Sequence, residues 1–358
     1  MSRTIIPFGP QHPVLPEPLH LKLVVEDETV VEAIPALGYV HRGLEMLSTI
    51  RDYNQMVYVV ERVCGICSCT HAMAFCQCVE EMMDVEIPER AVFLRTIWSE
   101  LHRMHSHLLW LGLYADAFGF ESLFMQFWKI REHVMDINEA TAGNRVIIST
   151  NVVGGVRRDL SKEQQKWILD EMDYVEKEVR SLMTTMLDDY TVCARTKGIG
   201  VLTAEQAIQL GAVGPMLRGS GVAQDARQLG YGAYKQLDFE PISVPDGDCW
   251  ARGKVRFLET LQSVALVRQA INLLPDSELS VKVVGKPKGE VVGRVEQARG
   301  ELLYYIKGNG TKYLDRVRLR TPTFANIPPL LAVMGGLQLA DVPVTVLSID
   351  PCISCTER

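Results

Sequence analysis

The stretch Arg62–Ala72 reads RVCGICSCTHA, and the last nine residues, Asp350–Arg358, read DPCISCTER. Each holds a Cys-x2-Cys pair, Cys64/Cys67 and Cys352/Cys355, with 284 residues between Cys67 and Cys352. Two intervening residues let both thiolates of a pair turn to one point, so each pair can chelate one metal. A four-sulfur site therefore needs a fold that returns the C-terminal segment to the region of residue 64. Zinc is the commonest occupant of four cysteines, but zinc ribbons usually close a short loop between their pairs. Cys69, Cys76 and Cys78 add sulfur for an iron-sulfur cluster without matching either ferredoxin spacing, and helix packing suits Cys76 and Cys78 better.

Outward from the first pair, helical periodicity dominates from Tyr39 to about Leu273. Between Pro88 and Phe118, Val92, Ile97, Leu101, Met104, Leu108 and Leu111 recur at three- and four-residue steps, with Gly119 following. That predicts a long core helix. Similar patterns span roughly 122–142, 161–187 and 250–273, the second opening at Ser161 with Glu and Gln in its first turn. Ahead of them, 19–34 (LHLKLVVEDETVVEAI) reads as an antiparallel ribbon, and Pro7, Pro10, Pro13, Pro16 and Pro18 make the entry an extended strap. From Leu279 to Arg320 the runs SVKVVG, EVVGRV, ELLYYIKG and DRVRLR read as strands. A short helix and an extended run, VPVTVLSID, then lead to the last cysteines. These patterns predict one α+β body, mainly α: strap and ribbon at 1–36, helical core at 37–275, β-rich segment at 276–320 and metal-binding segment at 321–358.

Composition narrows the function classes. Thirty-seven Lys and Arg against 44 Asp and Glu give a net charge of −7, so nucleic acid is not an expected partner. The apolar run Pro328–Ile349 is broken by Gly335-Gly336, Gln338, Asp341 and Pro343, which argues against a membrane span. The first residues lack a signal core, so a cytoplasmic location is expected. Nine cysteines, odd in number and clustered, fit reduced thiols kept for metal or redox chemistry.

The two cysteine motifs resemble the metal-binding signatures of nickel-iron hydrogenase large subunits. GPQHPVLPEP, YVHRGLE, HLLWLGLYADAFG and GGVRRDL resemble the membrane-bound, energy-converting branch (Ech-type and carbon-monoxide-induced), which is related to the quinone-site 49 kDa subunit of respiratory complex I. That subunit has lost the cysteines, whereas this sequence keeps all four. The resemblance implies the large-subunit fold and a nickel-iron centre with carbon monoxide and cyanide on iron. Cys64 and Cys352 would be terminal nickel ligands, and Cys67 and Cys355 would bridge to iron. Glu17, in HPVLPEP, matches the family's proton-transfer carboxylate, with Cys352 as the local base. Arg299, in VEQARGEL, resembles the arginine that overhangs the metals, although Ala298 stands where proline is usual. Arg320, in RTPTFAN, is the alternative arginine or a cyanide-pocket residue.

His71 lies one helical turn beyond Cys67, where a hydrogen bond to a cysteine sulfur is expected. His102, His105 and His107 read mostly as buried polar groups. Glu45 corresponds to a glutamate that helps hold magnesium or iron near the C-terminus. Its usual partner is a histidine, here Arg358, so an ion pair between the two is the expected substitute. With three residues after Cys355, an extension has either been removed during maturation or was never made. The resemblance further implies a small subunit with a 4Fe-4S cluster, a ferredoxin-like subunit and ferredoxin, ion-translocating membrane subunits, maturation proteins, and a place on the cytoplasmic side of the membrane. A quinone-binding subunit without catalysis and a zinc-stabilised structural subunit are the competing readings.

Overall fold

The proline-rich entry and the β-branched runs after it form one antiparallel sheet in the computed structural model, which describes residues 3–358. β1 (Thr4–Phe8), β2 (His20–Glu26) and β3 (Thr29–Ala36) lie in that order. Asp27 and Glu28, with φ of 46° and 65°, make the left-handed turn that joins β2 to β3. The expected ribbon is this hairpin. The start of the expected extended strap pairs as β1, with Pro7 opposite Lys22 on an edge, where a missing N–H is tolerated. The strap between β1 and β2 carries Glu17.

Five helices follow: α1 (Leu44–Ile50), α2 (Tyr53–Glu61), α3 (Ser68–Met82), α4 (Glu89–Ala117) and α5 (Glu121–Ala142). The long helix expected after Pro88 is α4, and Pro88 caps it. It is buried on every side, with Leu101, Met104, Leu108 and Leu111 fully enclosed by neighbouring helices. A two-strand hairpin, β4 (Asn151–Val152) and β5 (Gly155–Val156), precedes α6 (Lys162–Asp188). The Ser161 side chain and Gln164 form the capping box that starts α6.

The helical character expected to about residue 273 is interrupted between Lys197 and Asp248. α7 (Tyr190–Thr196), α8 (Ala204–Gln209) and α9 (Pro215–Arg218) are short, and turns connect them to α10 (Cys249–Asn272). Glycine explains much of this. A side chain at Gly214 (φ 64°) would lie 2.3 Å from the Arg299 carbonyl oxygen, so the loop can approach β-strand backbone only with glycine there.

β6 (Lys288–Gln297), β7 (Gly300–Asn309) and β8 (Leu314–Arg320) form the expected meander. SVKVVG does not join it: Ser280 makes an isolated pair with Gly155, and the segment remains extended coil. After α11 (Pro322–Met334), the run VPVTVLSID is not extended. It forms α12 (Val342–Ser348), followed by α13 (Ile353–Thr356). Pro343 sits in the first turn, and Val342, Val344, Val346 and Leu347 are buried, so packing overrides the strand preference of valine. α12 packs against α4, α10 and α11, which turns the chain back toward α3.

Candidate metal centre

Cys64 follows α2 in a turn, Cys67 caps α3, Cys352 caps α13, and Cys355 lies within α13. The first pair therefore opens on a helix start, where the backbone N–H groups favour negative charge. The sulfurs of Cys64, Cys67 and Cys355 lie within 4.8 Å of one another. Cys352 Sγ is 3.2 Å from Cys64 Sγ, and Cys67 Sγ is 3.4 Å from Cys355 Sγ. All four are buried and none is in a disulfide. Hydrogen bonds from the other three thiols hold Cys64 well below the usual thiol range, whereas burial pushes Cys67 and Cys355 up. Four converging soft donors fit a thiophilic metal, whose charge would favour the remaining thiolates.

Beside the sulfurs is a cavity of about 280 Å³ whose lining includes Glu17, Cys64, Leu113, Arg299, Asp350 and Cys352. Glu17 accepts from the N–H groups of Ile353 and Ser354 and from the Ser354 hydroxyl, so it is tied to the start of α13 between Cys352 and Cys355. Arg299 lies in the β6–β7 turn. Its guanidinium donates to the Asp350 carbonyl oxygen at 3.0 Å and pairs with the Asp350 carboxylate at 2.8 Å. Burial alone would lower its pKa, but Asp350 and the thiolates raise it, so it is a fixed positive charge.

His71 Nε2 lies 3.5 Å from Cys355 Sγ, and its Nδ1 lies 2.7 Å from the Tyr304 hydroxyl. Burial lowers its pKa to about 4, leaving a neutral ring. His102 and His105 are also buried beside this region, with rings 5.7 Å apart.

Arg320 goes elsewhere. Its guanidinium reaches Glu301 at 3.4 Å and the Gly211 carbonyl oxygen at 3.3 Å, and it is not among the cavity's lining residues. Only its neighbours meet the centre: Thr321 donates to the Cys355 carbonyl oxygen, and Thr323 accepts from the Cys352 N–H.

The carboxylate of Glu45 does not suit a metal. It accepts from Arg358 Nε at 3.0 Å, Arg318 Nη1 at 2.6 Å and the Leu319 N–H at 3.1 Å. Burial raises its pKa, but these donors outweigh that and keep it ionised. Two guanidinium groups supply the positive charge there, so magnesium or iron has no place in this donor set.

Sequence reasoning missed two residues. Asp350 stands inside the quoted motif, and its role as anchor of Arg299 is visible only in the fold. Arg42, inside YVHRGLE, donates to the carbonyl oxygens of Arg62 and Val63 at 2.7 Å each, and to that of Ser354 at 3.1 Å. One guanidinium thus ties the backbones of both cysteine motifs. No pattern could reveal it, because its partners are backbone oxygens that every residue has.

Residues 117–284 and 278–358 match the family described as respiratory-chain NADH dehydrogenase, 49 Kd subunit, and residues 42–115 match nickel-dependent hydrogenase. The chain is 40% identical to carbon monoxide-induced hydrogenase of Rhodospirillum rubrum, covering 100% of both. It is 39% identical to membrane-bound hydrogenase subunit alpha of Pyrococcus furiosus, covering 99% of this chain and 87% of that one. A chain in the structure of the membrane-bound sulfane sulfur reductase, an archaeal respiratory membrane complex, superposes with a TM-score of 0.95 at 29% identity, covering 100% and 99%. None of the described helices is long and apolar enough to cross a membrane. With its mainly helical architecture and small antiparallel sheets, the chain belongs to the family that unites the large subunits of energy-converting nickel-iron hydrogenases with the 49 kDa-type subunit of respiratory NADH dehydrogenase.

Proposed function

We propose that this chain is the catalytic subunit of an energy-converting hydrogenase, with Cys64, Cys67, Cys352 and Cys355 holding a nickel-iron centre. The observation that carries this reading is the convergence of four buried thiols beside a cavity that also receives Glu17 and Arg299. When bound, such a centre supplies reversible interconversion of protons and dihydrogen. Arg299, pinned by Asp350, holds a planar cation at the cavity wall, where it orients diatomic ligands and stabilises negative charge. Cys352 Sγ serves as the local proton acceptor. Glu17, in the strap and bonded to the start of α13 beside Cys352, passes the proton outward. His71 Nε2, which also lies 3.2 Å from Gln297 Nε2, sits against Cys355 Sγ and moderates that sulfur's basicity.

Electrons would come from ferredoxin through a small subunit with a 4Fe-4S cluster, and membrane subunits would couple the reaction to ion movement. The chain would then be peripheral, on the cytoplasmic side. Match to the 49 Kd family supports a second reading, in which the cavity binds quinone without catalysis. Metal analysis of the purified complex separates them. Nickel and iron together support the hydrogenase; a folded protein with no metal supports the quinone reading; zinc alone overturns both.

A further inference from the structure

Away from the thiols, a large buried polar region lies between α4, α9, α10 and the end of β6. Arg218 donates Nε to Glu259 Oε1 and Nη1 to Glu296 Oε1, each at 2.7 Å. Glu259 Oε2 lies 2.9 Å from His107 Nε2. Arg218 holds Glu259 well below the carboxylate range despite burial, so Nε2 carries the hydrogen and His107 Nδ1 is a bare lone pair. His107 Nδ1, Arg218 Nη2, Arg256 Nε and Nη2, and Asp350 Oδ2 are buried without a hydrogen-bond partner among the described residues. Each such group costs about 1–3 kcal/mol unless water satisfies it.

These groups neighbour one another electrostatically. Arg256 feels the charges of Asp350 and Glu259, and His107 feels Arg256. One end is Asp350, in the wall of the sulfur-lined cavity. The other is Glu296, which lines a cleft of about 10 Å³, room for one water, with Gly214, Gln224, Asp225 and Glu301. Burying so many charges stabilises a fold little, so stability alone is a poor reason for the arrangement.

We propose that His107, Glu259 and Glu296 form a second proton route, separate from Glu17, between the catalytic cavity and the cleft at Gly214 and Glu301. It rests on the hydrogenase reading above. For a proton leaving the cavity, water delivers it to His107 Nδ1 while the Nε2 hydrogen passes to Glu259. The proton then crosses, by water held at Arg218 Nη2, to Glu296 and leaves through the cleft. One proton enters, one leaves and no electron moves; His107 is left with its hydrogen on Nδ1, and a turn of the ring that carries this hydrogen back to the Glu259 side resets it. Arg218 keeps its own proton because Glu259, Glu296 and Asp225 outweigh the lowering by burial. Asp350 need only accept a hydrogen bond. Glu296 suits an exit near neutral pH: burial and Asp225 raise it to about 7, against Arg218, the Ala226 N–H and Arg103. The Tyr231 hydroxyl meets only its backbone.

The test uses Glu296→Gln in the complete complex, which keeps size and the contact to Arg218. Nickel content should match wild type, while release of deuterons from D2 into water falls measurably in the single variant and about tenfold further when Glu296→Gln is added to Glu17→Gln. The pH profile should lose an inflection near 7, and a protonated-carboxyl infrared band titrating at about 7 should vanish. Wild-type release with the inflection retained would overturn the route. Should that variant not assemble, Glu301→Gln at the cleft mouth decides: slower release at full nickel supports the route, unchanged release overturns it. Failure of the hydrogenase reading looks different, as wild-type protein without nickel. Then the carboxyl band alone is the readout, and its absence ends the proposal too.

Discussion

The C-terminal segment meets the amino-terminal half at two places, one buried and one partly exposed, with opposite chemistry. At one, four sulfurs converge and the nearby cation, Arg299, is already held by Asp350. At the other, the carboxylate of Glu45 converges with two arginines, Arg318 and Arg358, that satisfy its charge. Both sit in a region the family associates with metal, yet only the first keeps donors to spare. A metal site is therefore defined as much by the cations that stay away as by the ligands that gather.

The widest difference should come from removing one donor on each side. Cys67→Ala should abolish nickel and iron binding, because three thiolates no longer match the charge and geometry of a two-metal centre. Full nickel with infrared bands from iron-bound diatomics in that variant would break the contrast. Glu17→Gln should assemble normal centres yet lose most hydrogen-deuterium exchange, and wild-type exchange would return the role to another carboxylate. Arg299→Lys keeps the charge but loses the fork to Asp350, so hydrogen evolution should fall on the order of a hundredfold at unchanged metal content.

Acid should act on the buried histidines of α4 before it acts on the Glu45 carboxylate. Burial lowers His102 and His107 to about 4 from the ordinary 6.5. The unfolded chain binds more protons in that window, so stability is complete above about 6.5 and falls as pH drops toward 4, by a few kcal/mol. Urea midpoints across the window should show this slope, and His107→Gln should make it shallower. The smallest effect belongs to Glu45: Glu45→Gln should cost about 1 kcal/mol in urea unfolding and leave stability insensitive to magnesium. A magnesium-dependent midpoint in the wild-type protein would restore a metal there.

How much of this the sequence discloses depends on range. The cysteine pairs, the capping box at Ser161 and the periodicity of α4 are local features, and the fold keeps them where local rules put them. VPVTVLSID was misread because burial on all sides turned valines into helix, and Arg320 because the half-buried end of β8 directs it to Glu301. Assigning Glu17 and Arg299 needed resemblance, since a glutamate in a proline-rich strap and an arginine in a turn have ordinary solvent-facing explanations. Arg42 and the His107–Glu259–Arg218 network depend on partners from 20 to 312 residues away, which no spacing rule reaches.

The separation of the cysteine pairs also sets a clock. At about 5–20 residues per second, a ribosome making this chain exposes Cys64 and Cys67 roughly 15–60 s before Cys352 and Cys355 emerge. During that interval a single pair is a weak, open chelate that any abundant thiophilic ion can visit. Arg42 cannot bridge the two motifs until Ser354 has been made. The architecture thus favours a body that folds first and a site that closes last, the reverse of small zinc domains, where metal drives folding.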